Sequence, residues 1–142
     1  MAVVRVFPCL CVGDLVKSIE FYRALVGLDV MVDVGWYAEL SDREDRAAMV
    51  AFVQRGHPTV PPGFDASLGG VLVSVVVDDA PAIYERAMTM QAPIAHELRD
   101  EDFGQRHFMV VDPDGFLIDV IEPIRPSVEF RRQLVEGRRR WR

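Results

Sequence analysis

Cysteine, histidine and lysine are scarce: two cysteines, three histidines and a single lysine, Lys17, in 142 residues. Cys9 and Cys11 stand two apart in one extended segment. They point to the same face of a strand, a geometry that rarely closes a disulfide. No CxxC motif or Cys/His cluster suggests zinc, so both cysteines read as small buried hydrophobes. No apolar run approaches the roughly 20 residues of a membrane span, because charges or turn residues interrupt each one. The start, Met1 to Arg5, lacks the basic opening and long apolar stretch of a secretory signal, and a cytoplasmic location is expected.

Half of the residues are apolar, and the length suits one domain with a real core. Net charge is −6, unevenly placed. Residues 1–127 hold 10 basic and 20 acidic side chains, whereas residues 128–142 hold 6 arginines and 2 glutamates. An acidic body argues against nucleic acid as the main ligand and favours neutral or cationic ones. The basic tail, 125–142, spaces Phe130, Leu134 and Val135 as a helix would, and a solvated terminal helix is expected.

Along the chain one module is written twice. Val3–Val12 is β-branched and apolar and ends at Gly13-Asp14, as a buried strand before a helix start. Leu15, Ile19, Tyr22 and Leu25 recur at helical spacing, with Gly27 where a C-cap glycine belongs. Short extended runs follow at 29–34, 36–40 and 47–54. Residues 55–69, with three prolines and three glycines, read as a linker that spans on the order of 50 Å when extended. The pattern then restarts: strand 70–77, helix 80–90, and strands 94–98, 106–111 and 116–122. Asp112-Pro113-Asp114-Gly115 makes a tight hairpin between the last two. Val12-Gly13-Asp14 aligns with Val77-Asp78-Asp79 at an offset of 65. The expected fold is therefore α+β: a βαβββ module over 1–54, a linker over 55–69, a second module over 70–124, and a helical tail. The two modules should pair about a pseudo-twofold axis into an open, barrel-like cleft.

This repeat resembles the vicinal-oxygen-chelate superfamily, which holds glyoxalase I, extradiol dioxygenases, fosfomycin-modifying enzymes and bleomycin-resistance proteins. The resemblance runs from about Val4 to Pro123. It rests on Val12-Gly13-Asp14-Leu15 with Ser18-Ile19-Glu20-Phe21-Tyr22, on Val77-Asp78-Asp79, and above all on Asp112-Pro113-Asp114-Gly115-Phe116-Leu117-Ile118-Asp119. Metal enzymes of that family present one ligand from each of four strands. By motif spacing those positions fall here at Phe7, within Ala47–Gln54, at Leu72 and at Asp119. Phe and Leu have no lone pair to give, 47–54 holds no carboxylate, His or Cys, and one carboxylate cannot hold a divalent ion alone. His57, His96 and His107 lie off those positions, so neither metal nor other cofactor is expected.

The same positions mark the face that looks into the implied cleft. That face carries Phe7, Cys9, Leu72, Ser74 and Asp119, with Trp36, Tyr37, Phe52, Phe103 and Phe108 as further aromatics and Arg106 as a donor. Such an apolar cup with a few polar groups suits a small molecule. Asp119, walled in by Phe7 and Leu72, is expected to pair with a cationic ligand group or with Arg106. The resemblance implies a metal-free binding protein of the bleomycin-resistance type: a homodimer, its modules paired within a chain or swapped between chains, sequestering an aromatic or cationic antibiotic or natural product. The competing reading is an enzyme: a metal-dependent lyase, isomerase or oxidoreductase, or a metal-free one with Asp119 as general base.

Overall fold

The computed structural model describes residues 2, 4–45, 47–66 and 70–140. The element order is β1 (Cys9–Val12), α1 (Leu15–Val26), β2 (Asp29–Asp33), β3 (Tyr37–Ser41), β4 (Val50–Gln54), β5 (Leu72–Val76), α2 (Ala80–Thr89), β6 (Ile94–Glu101), β7 (Gln105–Val111), β8 (Leu117–Pro123) and α3 (Val128–Arg139). Two four-stranded mixed sheets result, ordered β1-β4-β3-β2 and β5-β8-β7-β6. Each opening strand pairs in parallel with the last strand of its own module, and the remaining pairs are antiparallel. The chain clusters into two compact units, Met1–Val71 with Asp112–Phe116, and Leu72–Val111 with Leu117–Arg142.

The repeat offset has a local cause. Asp14 and Asp79 are both helix N-caps, each accepting a backbone N–H three residues on, from Lys17 and Ala82, at 3.1 Å. In the first unit Leu15, Ile19, Tyr22 and Leu25 of α1 are buried, as are Leu10, Val12, Ala38, Leu40, Val50 and Phe52 on the sheet. The Tyr22 and Phe52 rings lie 5.0 Å apart in this core. Each such side chain contributes about 1.5–3 kcal/mol by leaving water. In the second unit Ile83 and Ala87 of α2 are buried together with Val73, Phe108, Val110, Ile118 and Val120.

Several boundaries depart from expectation. Val3 lies outside the described residues, and β1 begins only at Cys9, with Val4 and Val6 exposed. Pro8 has no N–H to donate, and the ladder with β4 starts at the Cys9–Ala51 pair. Strand β6 runs on to Glu101 rather than ending at Leu98, because an edge strand carries charged side chains without burying them. Residues 55–66 are a folded loop rather than an extended spacer: the Arg55 side chain and the Gly56 N–H both donate to Asp65. The tail helix α3 buries no residue, and its Ser127 cap accepts the Phe130 N–H.

Candidate functional site

Alternation along β1 sends Leu10 and Val12 toward α1 and leaves Cys9 and Cys11 on the opposite face, exposed and half-buried rather than buried as expected. The register continues that face through Ala51 and Val53 of β4 to Glu39 and Tyr37 of β3. The folded 55–66 loop supplies Thr59 and Val60 to it, and with Cys9, Trp36, Tyr37 and Val53 they line an open, mostly apolar pocket of about 260 Å³. The His57 ring stacks flat on the Trp36 indole, centroids 3.8 Å apart and planes within 4°. His57 is itself held by the Thr59 N–H, which donates to its Nδ1 at 3.2 Å. The Tyr37 hydroxyl donates to Glu39 at 2.9 Å, and desolvation together with that bond pushes the phenol up to about 12. Desolvation likewise raises the Cys9 thiol, with help from Cys11 and Glu39. The pocket thus presents a neutral thiol, a neutral phenol and an indole, and the phenol donates to the Glu39 carboxylate. It suits a planar apolar ligand, and it does not activate a nucleophile.

In the second unit, Leu72, Ser74 and Val76 are exposed on the sheet face opposite α2, with Asp119 directly across the ladder from Ser74. Asp119 is buried, but it neither stands free for a ligand nor pairs with Arg106. Its Oδ1 lies 2.7 Å from Nδ1 of His107, which is also buried. Arg106 alternates to the other face and forms ion pairs with Asp100 at 2.7 Å and Glu122 at 3.1 Å. The Asp100 carboxyl is held below its ordinary range by that guanidinium. Around His107 lie the rings of His96, at 4.9 Å, and Phe103, at 5.9 Å, and Phe103 in turn meets Phe130 of α3. Gly104 holds this turn. It adopts φ +91°, and a Cβ there would fall 2.9 Å from Pro126 and 3.0 Å from the Ile124 carbonyl. Nε2 of His107 is buried without a partner among the described residues. An unmet buried polar atom of this kind costs about 1–3 kcal/mol.

Of the residues expected at the ligand face, Cys9, Trp36 and Tyr37 come together at the first-unit pocket. Phe7 is half-buried beside them in sequence, with the Arg5 guanidinium 4.9 Å above its ring. Phe52 and Phe108 are instead core: both are fully buried, against Tyr22 and Tyr84 respectively. His96 and His107, which miss the family's metal positions, form with Glu101 a cluster whose ligand atoms lie within 4.8 Å of one another. The sign that could have found them is strand pairing: a tight hairpin at 112–115 brings His107 of β7 close to Asp119 of β8.

The family's own metal positions do not fit an ion. Phe7 and Leu72 lack donors, and Gln54, the nearest polar side chain on β4, is committed to the Leu15 N–H and to the Val12 and Gly13 carbonyls. Asp119 is engaged by His107. Among the described residues no helix is long and apolar enough to cross a membrane.

Comparison with known proteins places this architecture. A crystal structure of an Agrobacterium tumefaciens protein of unknown function is similar at 24% identity, covering 87% of this chain and 97% of that one, with a TM-score of 0.73. TnmS3, an antibiotic binding protein from Streptomyces sp. CB03234, is similar at 25% identity over 87% of this chain and 98% of its own, TM-score 0.64. A glyoxalase/bleomycin resistance protein/dioxygenase from Nocardioides is similar at 19% identity over 87% and 86%, TM-score 0.65. No curated protein matches the chain. The family model that does match spans residues 3–120, and by it the chain belongs to the glyoxalase/bleomycin resistance protein/dioxygenase superfamily.

Proposed function

We propose that this protein binds a planar aromatic small molecule, an antibiotic or natural product, and sequesters it without transforming it. The observation that carries the reading is the apolar pocket of about 260 Å³ lined by Trp36 and Tyr37, with the Trp36 indole braced by the stacked His57 ring. Ring stacking against an indole and a neutral, desolvated surround favour an aromatic guest. A cationic substituent at this pocket would meet Glu39, on the same face of β3 as Tyr37, rather than Asp119, which belongs to the second sheet. The name of TnmS3, an antibiotic binding protein, agrees with this reading. A homodimer is part of the proposal: Val4, Val6, Leu72 and Val76 are exposed apolar side chains that a partner would cover. Light scattering at micromolar concentration tests it, and a monomeric mass counts against it.

The binding test is calorimetric titration with a panel of planar aromatic antibiotics. Trp36→Ala should weaken a bound member by about 2 kcal/mol, roughly thirtyfold, through lost stacking and contact area. Glu39→Gln should cost a cationic ligand about 1.5–3 kcal/mol and leave a neutral one nearly unchanged. Binding indifferent to Trp36→Ala in a folded protein would place the ligand elsewhere. A second reading, catalysis, has one observation in its favour, the buried Asp119–His107 pair; there the base is His107 Nε2 rather than Asp119.

A further inference from the structure

Three strands of the second sheet, in the order β8, β7, β6, each contribute to one polar cluster. His107 sits on the middle strand. On its β8 side, Nδ1 faces Asp119 Oδ1 at 2.7 Å. A carboxylate accepts, so Nδ1 carries a proton, and in the neutral ring Nε2, on the far edge, keeps its lone pair. That nitrogen is buried and unpartnered among the described residues. On the β6 side stand His96 and Glu101. The β6–β7 ladder shifts register on both sides of His96, which re-aims that residue toward His107 although the ladder pairs it with Met109.

His96 repeats the arrangement. Its Nδ1 lies 2.8 Å from the Glu97 carbonyl, which can only accept, so its Nε2 lone pair is likewise free for coordination. Both imidazoles therefore have the tautomer of a metal-ligating histidine, each fixed by a second hydrogen bond to an oxygen acceptor. Glu101 adds a carboxylate; one oxygen takes the Arg99 guanidinium, leaving the other. The three residues offer ligand atoms within 4.8 Å of one another, close enough to contract onto an ion. Two imidazoles and one carboxylate, with a fourth position open, are a donor set suited to zinc or a similar divalent ion.

We propose that His96, Glu101 and His107 form a divalent transition-metal site of the zinc type, with Asp119 as a positioning residue behind His107. The site uses β6 and β7, so it is distinct from the four strand positions the family resemblance marked. Its ion supplies the partner that His107 Nε2 lacks.

The test uses tag-free full-length protein, stripped with chelator and returned to chelator-free buffer. Zinc chloride is titrated calorimetrically, and cobalt(II) chloride is followed by visible absorption. The expected result is one ion per chain and the intense bands of a low-coordinate cobalt site. His96→Ala and Glu101→Gln, both on the half-exposed edge strand, should abolish stoichiometric binding while leaving the circular dichroism spectrum unchanged. Asp119→Asn still accepts the ring N–H but withdraws the charge, and should weaken zinc by roughly 10–100-fold. Failure of the wild type to take up one zinc overturns the proposal. So does zinc binding that survives both β6 substitutions unchanged.

Discussion

Removing one hydroxyl from the first unit's core is a quantitative test of how that unit is held together. The Tyr22 phenol is buried on α1, and its hydroxyl donates to Asp112 Oδ2 at 3.0 Å. The other oxygen, Oδ1, takes the Asp114 and Phe116 N–H groups at 2.9 and 2.8 Å, so this carboxylate organises the 112–116 turn. Tyr22→Phe keeps the ring against Phe52 and leaves Oδ2 buried without its donor. Losing a hydrogen bond to a charged acceptor costs about 1.5–3 kcal/mol. At an m-value of about 2 kcal/mol/M, that moves the urea midpoint down by about 1 M. The penalty also depends on pH. Burial holds the Asp112 carboxyl above its ordinary value against three hydrogen bonds that pull it down, and the Tyr22 bond is one of the three. A carboxyl raised in the folded state favours folding most when protonated. Its unfavourable contribution appears as pH rises from the ordinary carboxylate value of about 4 through the folded value. Tyr22→Phe raises Asp112 further, so its cost should be largest at pH 7 and shrink toward pH 4. Urea denaturation by far-ultraviolet circular dichroism at both pH values reads this directly. A cost below about 0.5 kcal/mol at pH 7, or one that grows on acidification, refutes the reasoning.

Phe52→Ala should lower stability by about 3–5 kcal/mol, because the ring is fully buried against Tyr22, and urea denaturation would show whether this aromatic belongs to the core rather than to the ligand face. Gly104→Ala forces a side chain into φ +91° against Pro126 and should cost about 1–3 kcal/mol; an unchanged melting temperature would mean the 102–104 turn relaxes freely. Desolvation raises the Cys9 thiol, so at pH 8 it should react with a disulfide reagent more slowly than free cysteine; faster reaction in the Cys11→Ser protein would contradict the neutral character assigned to the pocket.

The architecture was legible in the sequence because its signals are local. Asp14 and Asp79 cap their helices through bonds to residues only three positions away, so the repeat that contains them announces two βαβββ modules without reference to anything distant. The alternation that leaves Cys9 and Cys11 on one face of β1 puts Leu10 and Val12 in the core for the same local reason. Phe52 and Phe108 were misassigned because they sit in Val50-Ala51-Phe52-Val53 and Phe108-Met109-Val110-Val111, runs apolar at every position and therefore without a phase. Which side of the sheet each ring faces was decided by the helix packed against it. The extension of β6 to Glu101 was hidden because Arg99, Asp100 and Glu101 carry no apolar alternation, and only an edge position makes their charges harmless. The union of His96, Glu101, His107 and Asp119 depended on tertiary structure most of all. It needs the β7–β8 hairpin register, the irregular β6–β7 ladder and burial of one imidazole ring, and each is set by which strands pair rather than by the residues flanking any of the four.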